Sequence, residues 1–189
     1  MPSLTIDPAA IARRIKPHKR RTQLKTRPLD ALVSASDIAG TGRARLLLDT
    51  NVYIHEAGGR LPAGAQAVLD QCVSFHSSVC IAELTTGVGN ADPAHPRWIA
   101  RRDHYFELIR TVPEHRLLIP DPEIWAEAGL IAGTLSRVQG FQPNRRKECL
   151  NDALIYLSAA KQGISVLTAN RDEFDLIQQL AGRGSFVHF

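Results

Sequence analysis

No stretch of this 189-residue chain reaches the ~18–20 consecutive apolar residues that a membrane-crossing helix needs. The segment Pro2–Ile11 has no long apolar core and is followed by basic residues, so no signal peptide is expected and the reading is of a soluble, cytoplasmic protein. Cysteine is scarce. Cys72, Cys80 and Cys149 are odd in number and include no C-x-x-C pair, which argues against a structural zinc and leaves them as small buried side chains. Seven histidines occur without H-x-x-x-H spacing, so none is singled out as a metal ligand. After the first strand there is neither G-x-x-x-x-G-K nor G-x-G-x-x-G, which excludes the usual phosphate-cradling loops. Aromatic residues are absent from Met1–Arg45, so that segment is not expected to stack on bases.

A hydrophobic content of 44% is enough for a proper core, and the length suits one globular domain with some chain to spare. The net charge of +4 is unevenly spread: ten Lys/Arg against Asp7, Asp30 and Asp37 put residues 1–45 at +7, leaving −3 for the rest. A basic arm on a mildly acidic body suits a protein that meets phosphate backbones, through charge and therefore in a salt-sensitive way. A solvated or partner-docking tail is the competing reading. Prolines at 2, 8, 17 and 28 interrupt the arm, with short helices expected only over Pro8–Lys16 and Leu29–Ile38. Gly40-Thr41-Gly42 marks a boundary. Residues 1–43 are thus read as a basic extension and 44–189 as the domain, and truncating Met1–Gly42 is expected mainly to weaken nucleic-acid association.

Beyond the boundary, strands and helices alternate. Strands are expected at Arg45–Asp49, Arg116–Ile119, Ile164–Thr168 and Ser185–Phe189. Helices are expected at Ala63–Cys72, Val79–Val88, Trp98–Ile109, Pro122–Val138 (with Trp125 in its buried stripe), Asn151–Gln162 and Glu173–Leu180. Pro143–Lys147 reads as a basic loop, and Asn151 as the cap that places Asp152 at a helix start. The alternation predicts a mainly parallel α/β sheet with helices on both faces.

Leu46–Ile54 is the most telling run: an apolar strand delivers Asp49 to its C-terminal end and continues into Thr50-Asn51. In an open α/β sheet that end faces the ligand crevice. Glu83 inside an apolar run, Asp152, and Asn170 and Asp172 after a later strand are candidates to join it. Mg²⁺ and Mn²⁺ prefer oxygen ligands, and Asp/Glu-held metal makes water nucleophilic while neutralising charge at a phosphodiester. Each acid also has a structural reading: Asp49 as a turn cap, Glu83 paired with Arg97 or Arg101, and Asp152 favouring a helix dipole. Arg145-Arg146-Lys147 would set positive charge beside the scissile phosphate.

Leu46–Ile54, Cys80–Gly87, Asn151–Ala160 and Val166–Phe174 resemble, in order and spacing, the motifs of PIN-domain ribonucleases, nearest the VapC-like toxins of toxin–antitoxin pairs. The resemblance spans about Leu46 to Phe189. It implies a Rossmann-like α/β/α sandwich and Mg²⁺- or Mn²⁺-dependent endonucleolytic cleavage of RNA. The family's acids fall on Asp49, Glu83 and Asp152, its tuning polar residues on Thr50 and Asn51, and its strand-end hydroxyl on Thr168. Its fourth position, often Asp, falls on Asn170, a departure for which Asp172 could take over a ligand or water-mediated role. A homodimer and an antitoxin partner are also implied. A catalytically silent module that binds RNA or a partner is the alternative. Aspartyl-phosphate phosphatases are disfavoured, because the second acid their motif needs is Asn51 here. Which RNA is cut stays open, since phosphate contacts carry no sequence information.

Overall fold

The computed structural model describes residues 6–189; the notional start of the arm, Met1–Thr5, lies outside the described residues. Two short helices lead, α1 (Pro8–Ile15) and α2 (Ala35–Ile38). The alternating body follows as β1 (Arg45–Leu48), α3 (Thr50–Ala57), α4 (Ala63–Gln71), β2 (Val73–Ser77), α5 (Ser78–Asn90), α6 (Trp98–Thr111), β3 (Leu117–Leu118), α7 (Pro122–Gln139), α8 (Pro143–Lys161), β4 (Ser165–Thr168), α9 (Arg171–Ala181) and β5 (Ser185–His188). The sheet order is β3-β2-β1-β4-β5, and every pairing is parallel. The expected α/β/α sandwich is present, with a sheet wholly rather than mainly parallel. β1 sits at the centre because Leu46, Leu47 and Leu48 are all buried, the continuous apolar reading of a strand covered on both faces.

Three differences from the sequence reading have physical causes. β2 was missed: Val73-Ser74-Phe75-His76-Ser77 alternates polar and apolar residues and is only half-buried along most of its length, so no apolar run marks it. The supposed basic loop is the first turn and a half of α8, which starts with Pro143 at its N1/N2 position. Residues 143–148 are all exposed and the buried stripe begins only at Cys149, so the helix looked eight residues shorter than it is. Asp152 therefore lies in mid-helix, and Asn151 caps nothing. Trp125 is half exposed on α7, not in its buried stripe. Of the cysteines, Cys80 and Cys149 are buried as expected and Cys72 is half-buried; all three are free.

The N-terminal segment is bound into the body. Ile11 and Ile15 are 1% exposed and join the single core, as do Leu32 and Ala35. Arg14 pairs with Glu127 of α7, a carboxylate that Arg183 also holds, at 2.6 and 2.7 Å. Arg27 donates to the fully buried Asp175 of α9 through its backbone N–H (2.7 Å) and its Nε (2.5 Å). The backbone N–H of His188 donates to Val33 O (3.0 Å), and a parallel bridge pairs Ser34 with His188, covering the outer edge of β5.

Truncating residues 1–42 should consequently cost stability before it costs binding, whereas the sequence alone suggests mainly a loss of nucleic-acid association. Ile15→Ala removes part of that packing and should lower unfolding free energy by about 2–5 kcal/mol in urea titration. An unchanged midpoint would mean that the segment does not belong to the core.

Candidate active site

The C-terminal edge of the sheet gathers the candidate residues because of strand register. Leu48 of β1 lies opposite Leu167 of β4, and the backbone N–H of Asp49 donates to Leu167 O (3.0 Å). Asp49 therefore leaves its strand beside Thr168, where the sheet order reverses direction about β1. Asp49 caps α3 by accepting from Thr50 N (2.7 Å). Its other oxygen accepts from Thr168 Oγ1 (2.7 Å) and Asn51 Nδ2 (2.5 Å). Asn51 in turn accepts from Ala169 N (2.8 Å), and Thr168 Oγ1 accepts from Asn170 N (2.8 Å), so the start of the β4–α9 connection is tied to the same cluster.

Glu83 reaches this edge from α5. It accepts from Thr50 Oγ1 and, at 2.7 Å, from Asn151 Nδ2 of α8. The expected structural partners, Arg97 and Arg101, are not its partners; two neutral donors are. Asp152, on the next residue of α8, accepts from Asn170 Nδ2 (2.9 Å). Asp49 is 3% exposed and Asp152 8%. Among the described residues none of the three acids forms an ion pair.

The electrostatics follow from that. Burial, reinforced by the nearby charge of Glu83, lifts Asp49 to about 6, although the hydrogen bonds from Thr168, Thr50 and Asn51 pull the other way. Burial lifts Asp152 well above the carboxylate range, and the charges of Asp49, Glu83, Glu173 and Glu148 add to it. Like charges in a low-dielectric site cannot all be ionised without a compensating cation. The donors are all hard oxygens, which suits Mg²⁺ or Mn²⁺. Yet among the described residues no three His, Cys, Asp or Glu side chains already converge closely enough to enclose an ion.

Asp172 does not join the cluster. Its carboxylate pairs with Arg171 at 2.6 Å and is half exposed. Asn170 does join, as a donor to Asp152. Two acids that the sequence reading overlooked are among the charges that act on Asp152: Glu148, one turn earlier on α8, and Glu173 in the first turn of α9. Glu148 becomes visible as a same-face neighbour at i−4 only once α8 is known to start at Pro143.

The three basic residues are not equivalent. Arg145 pairs with Glu173 and lies over the Phe141 ring at 4.8 Å, and Arg146 Nε donates to Phe141 O (2.9 Å). Lys147 lines a cleft of about 630 Å³ together with Glu83, Asn151, Glu148 and the exposed Trp125.

A family model, PIN domain, matches residues 46–180. Among solved structures the fold is similar to VapBC-1 from nontypeable Haemophilus influenzae, at 22% identity and TM-score 0.54, over 76% of this chain and 97% of that one. It is similar also to VapBC2 from Rickettsia felis, solved bound to a DNA fragment from their promoter, at 17% and 0.53, over 77% and 98%. FitAcB from Neisseria gonorrhoeae aligns at 20% and 0.53, over 76% and 96%. No curated protein matches. At these identities the structural likeness concerns the fold.

A carboxyl raised in the folded state contributes stability that is present below its unfolded value of about 3.8 and lost as the pH rises through its folded value, about 6 for Asp49. In EDTA, Asp49→Asn and Asp152→Asn should therefore raise the thermal midpoint relative to the parent, by an amount that grows between pH 5 and pH 8. Equal destabilisation by both variants at every pH would contradict the crowding of charge described above.

Proposed function

Since the chain belongs to the PIN-domain family, whose members are generally nucleases, we propose that it is a divalent-metal-dependent endoribonuclease and the toxin of a toxin–antitoxin pair. The observation that carries this reading is that Asp49, Glu83 and Asp152 share the sheet's C-terminal edge, each held by neutral donors and none with a cationic partner among the described residues.

In this reading Asp49, Asp152 and Glu83 hold Mg²⁺ or Mn²⁺, with Asn170 beside them. Bound metal supplies charge neutralisation at the phosphate and lowers the pKa of a ligated water. The chain's own residues do the rest. Thr168, Asn51 and the Thr50 N–H aim Asp49 and hold it off its strand end. Thr50 and Asn151 fix Glu83, and Asn170 fixes Asp152; partners of this kind on a ligand are worth about 10–100-fold in affinity or activity. Asp172, engaged by Arg171, is not required. Lys147, alone of the three basic residues in lining the cleft beside Glu83, draws the phosphodiester toward a pocket that would otherwise repel it.

With Mn²⁺ and single-stranded RNA, the purified protein should cleave internally. EDTA should abolish cleavage, and Asp49→Asn should reduce it by at least about 100-fold while leaving the fold intact by circular dichroism. Cleavage indifferent to both controls would overturn the metal-nuclease reading. A catalytically silent RNA- or partner-binding module is the second reading, favoured by the acids not yet converging on one point; RNA binding without any cleavage would select it.

The similar solved structures carry paired names, VapBC and FitAcB, which supports an antitoxin partner here. Among the described residues no helix is long and apolar enough to cross a membrane. Ile119 and Trp125, 71% and 50% exposed at and just before the start of α7, support a homodimer through that region. Light scattering should give twice the 20.8 kDa chain mass, and Trp125→Ser should shift it toward monomer; a monomer at every concentration would rule the dimer out.

A further inference from the structure

Residues 1–45 lie outside the matched PIN model, and the structure fixes most of them along the body. Six of their ten cations fall into two contrasting sets. Arg14 and Arg27 are spent on the buried Glu127 and Asp175. Lys16, Lys19, Arg21 and Lys25 are exposed, and among the described residues none of them meets a carboxylate.

The exposed set is connected to the candidate active site. Arg137, near the end of α7, donates to Arg20 O (2.9 Å) and Pro17 O (2.8 Å), which pins the Pro17–Arg20 backbone beside it. Arg137 and Arg146 line one cleft of about 440 Å³, with Gly129, Gly133 and Ser136 between them and no acid in its lining. Arg146 donates to Phe141 O, Arg145 covers the Phe141 ring, and Arg145 pairs with Glu173, one of the charges acting on Asp152. Cationic residues thus follow one another, contact by contact, from Arg145 in the first turn of α8 through Arg146 and Arg137 to the Pro17–Arg20 backbone, which carries Lys19 and leads into Arg21. Glycines one turn apart weaken a helix interior, and a Cβ added at Gly129 or Gly133 would meet nothing within 4 Å. The chain itself does not use that space. It leaves a backbone floor that a sugar-phosphate strand can approach closely.

We propose that Lys19 and Arg21 of the N-terminal segment, together with Arg137 and Arg146, form a track that holds the phosphates of single-stranded RNA beyond the bond that is cut. Recognition there is by charge, because residues 1–45 have no aromatic side chain to stack on a base. The track rests on the nuclease reading for its purpose and not for its existence. It predicts a dependence on substrate length: a long strand reaches Lys19 and Arg21, and a very short one does not.

The test compares full-length Asp49→Asn protein with the same protein carrying Lys19→Gln and Arg21→Gln, both with Mn²⁺, on RNA strands of about 4 and about 20 nucleotides. Loss of two phosphate contacts should reduce the slope of log K against log salt by about 1.4 on the long strand and leave the short strand unchanged. In the cleaving protein, the same two substitutions should raise KM for the long strand with kcat constant. Thermal melting should not move, as both side chains are exposed. An unchanged slope on the long strand overturns the track, whether or not the parent cleaves. A slope change on duplex DNA but not on RNA overturns it too. A reduced slope on RNA in a protein that never cleaves keeps the track and removes the nuclease reading instead.

Discussion

The hydrogen bond from Thr168 Oγ1 to Asp49 Oδ2, 2.7 Å across the ends of β1 and β4, is the constraint on which the rest of the candidate site depends. A carboxylate 3% exposed is tolerable only when its lone pairs are filled, and Asp49 is filled by its neighbours Thr50 and Asn51 and by this one bond from another strand. That bond exists only in the register that sets Leu48 against Leu167. A slip of one residue would turn Thr168 to the other face of the sheet and the leucines of β1 with it. Burial of the central strand and orientation of the first acid are therefore one fact. The α9 entrance is tied to it, as Ala169 N donates to Asn51 Oδ1 and Asn170 N to Thr168 Oγ1.

The site works against the fold that carries it. Asp49 is pushed upward by burial and by Glu83, and Asp152 by burial and by the charges of Asp49, Glu83, Glu173 and Glu148. Such a cluster lowers stability in exchange for an arrangement that a divalent cation would complete. The surrounding structure is built to tolerate this. Residues 153–159 of α8 are all buried, so Asp152 opens a continuously buried stretch of helix. The N-terminal segment adds Ile11 and Ile15 to the core, with Glu127 and Asp175 held by its arginines. Removing Arg27 would leave the Asp175 charge buried without a cation, whereas Glu127 would keep Arg183 if Arg14 were removed. The segment is thus a strap that runs from α7 and α9 past the outer edge of β5 to α4.

Much of this was legible in the chain and some was not, for reasons that lie in particular residues. β1 and β4 declare themselves through unbroken apolar runs, Leu46–Leu48 and Val166–Leu167, because both faces of a central parallel strand are covered. β2 does not, since Ser74 and His76 interrupt it and most of it is only half-buried. Asp49, Glu83 and Asp152 could be named from sequence because each carries an acid in or beside an apolar run, where charge is conspicuous. Asp172 is singled out by the sequence and Glu173 is not, although adjacent acids in a first helical turn offer nothing to rank them by. Only the contacts separate them: Asp172 goes to Arg171, while Glu173 goes to Arg145 and is among the charges acting on Asp152. The true start of α8 was hidden because its first six residues bury nothing, so hydrophobic periodicity is silent there.

The same hidden turn changes what the basic cluster means. As a loop, Arg145-Arg146-Lys147 would be one mobile patch of charge. As the first turn of a helix, the three side chains point about 100° apart, and the contacts show three different fates. Arg145 is held by an acid beside the site, Arg146 by a carbonyl on the edge of the α7 cleft, and Lys147 lies in the groove beside Glu83. An acidic pocket repels a polyanion until metal and cations offset it, so where the cations stand decides the direction from which a strand can enter. Here they stand on two sides of α8, one toward Trp125 and Glu83 and the other toward Arg137 and the N-terminal strap. Where those cations stand is fixed by a helix whose start left no periodicity signal in the sequence, and by a basic segment whose composition did not show that it packs against the body.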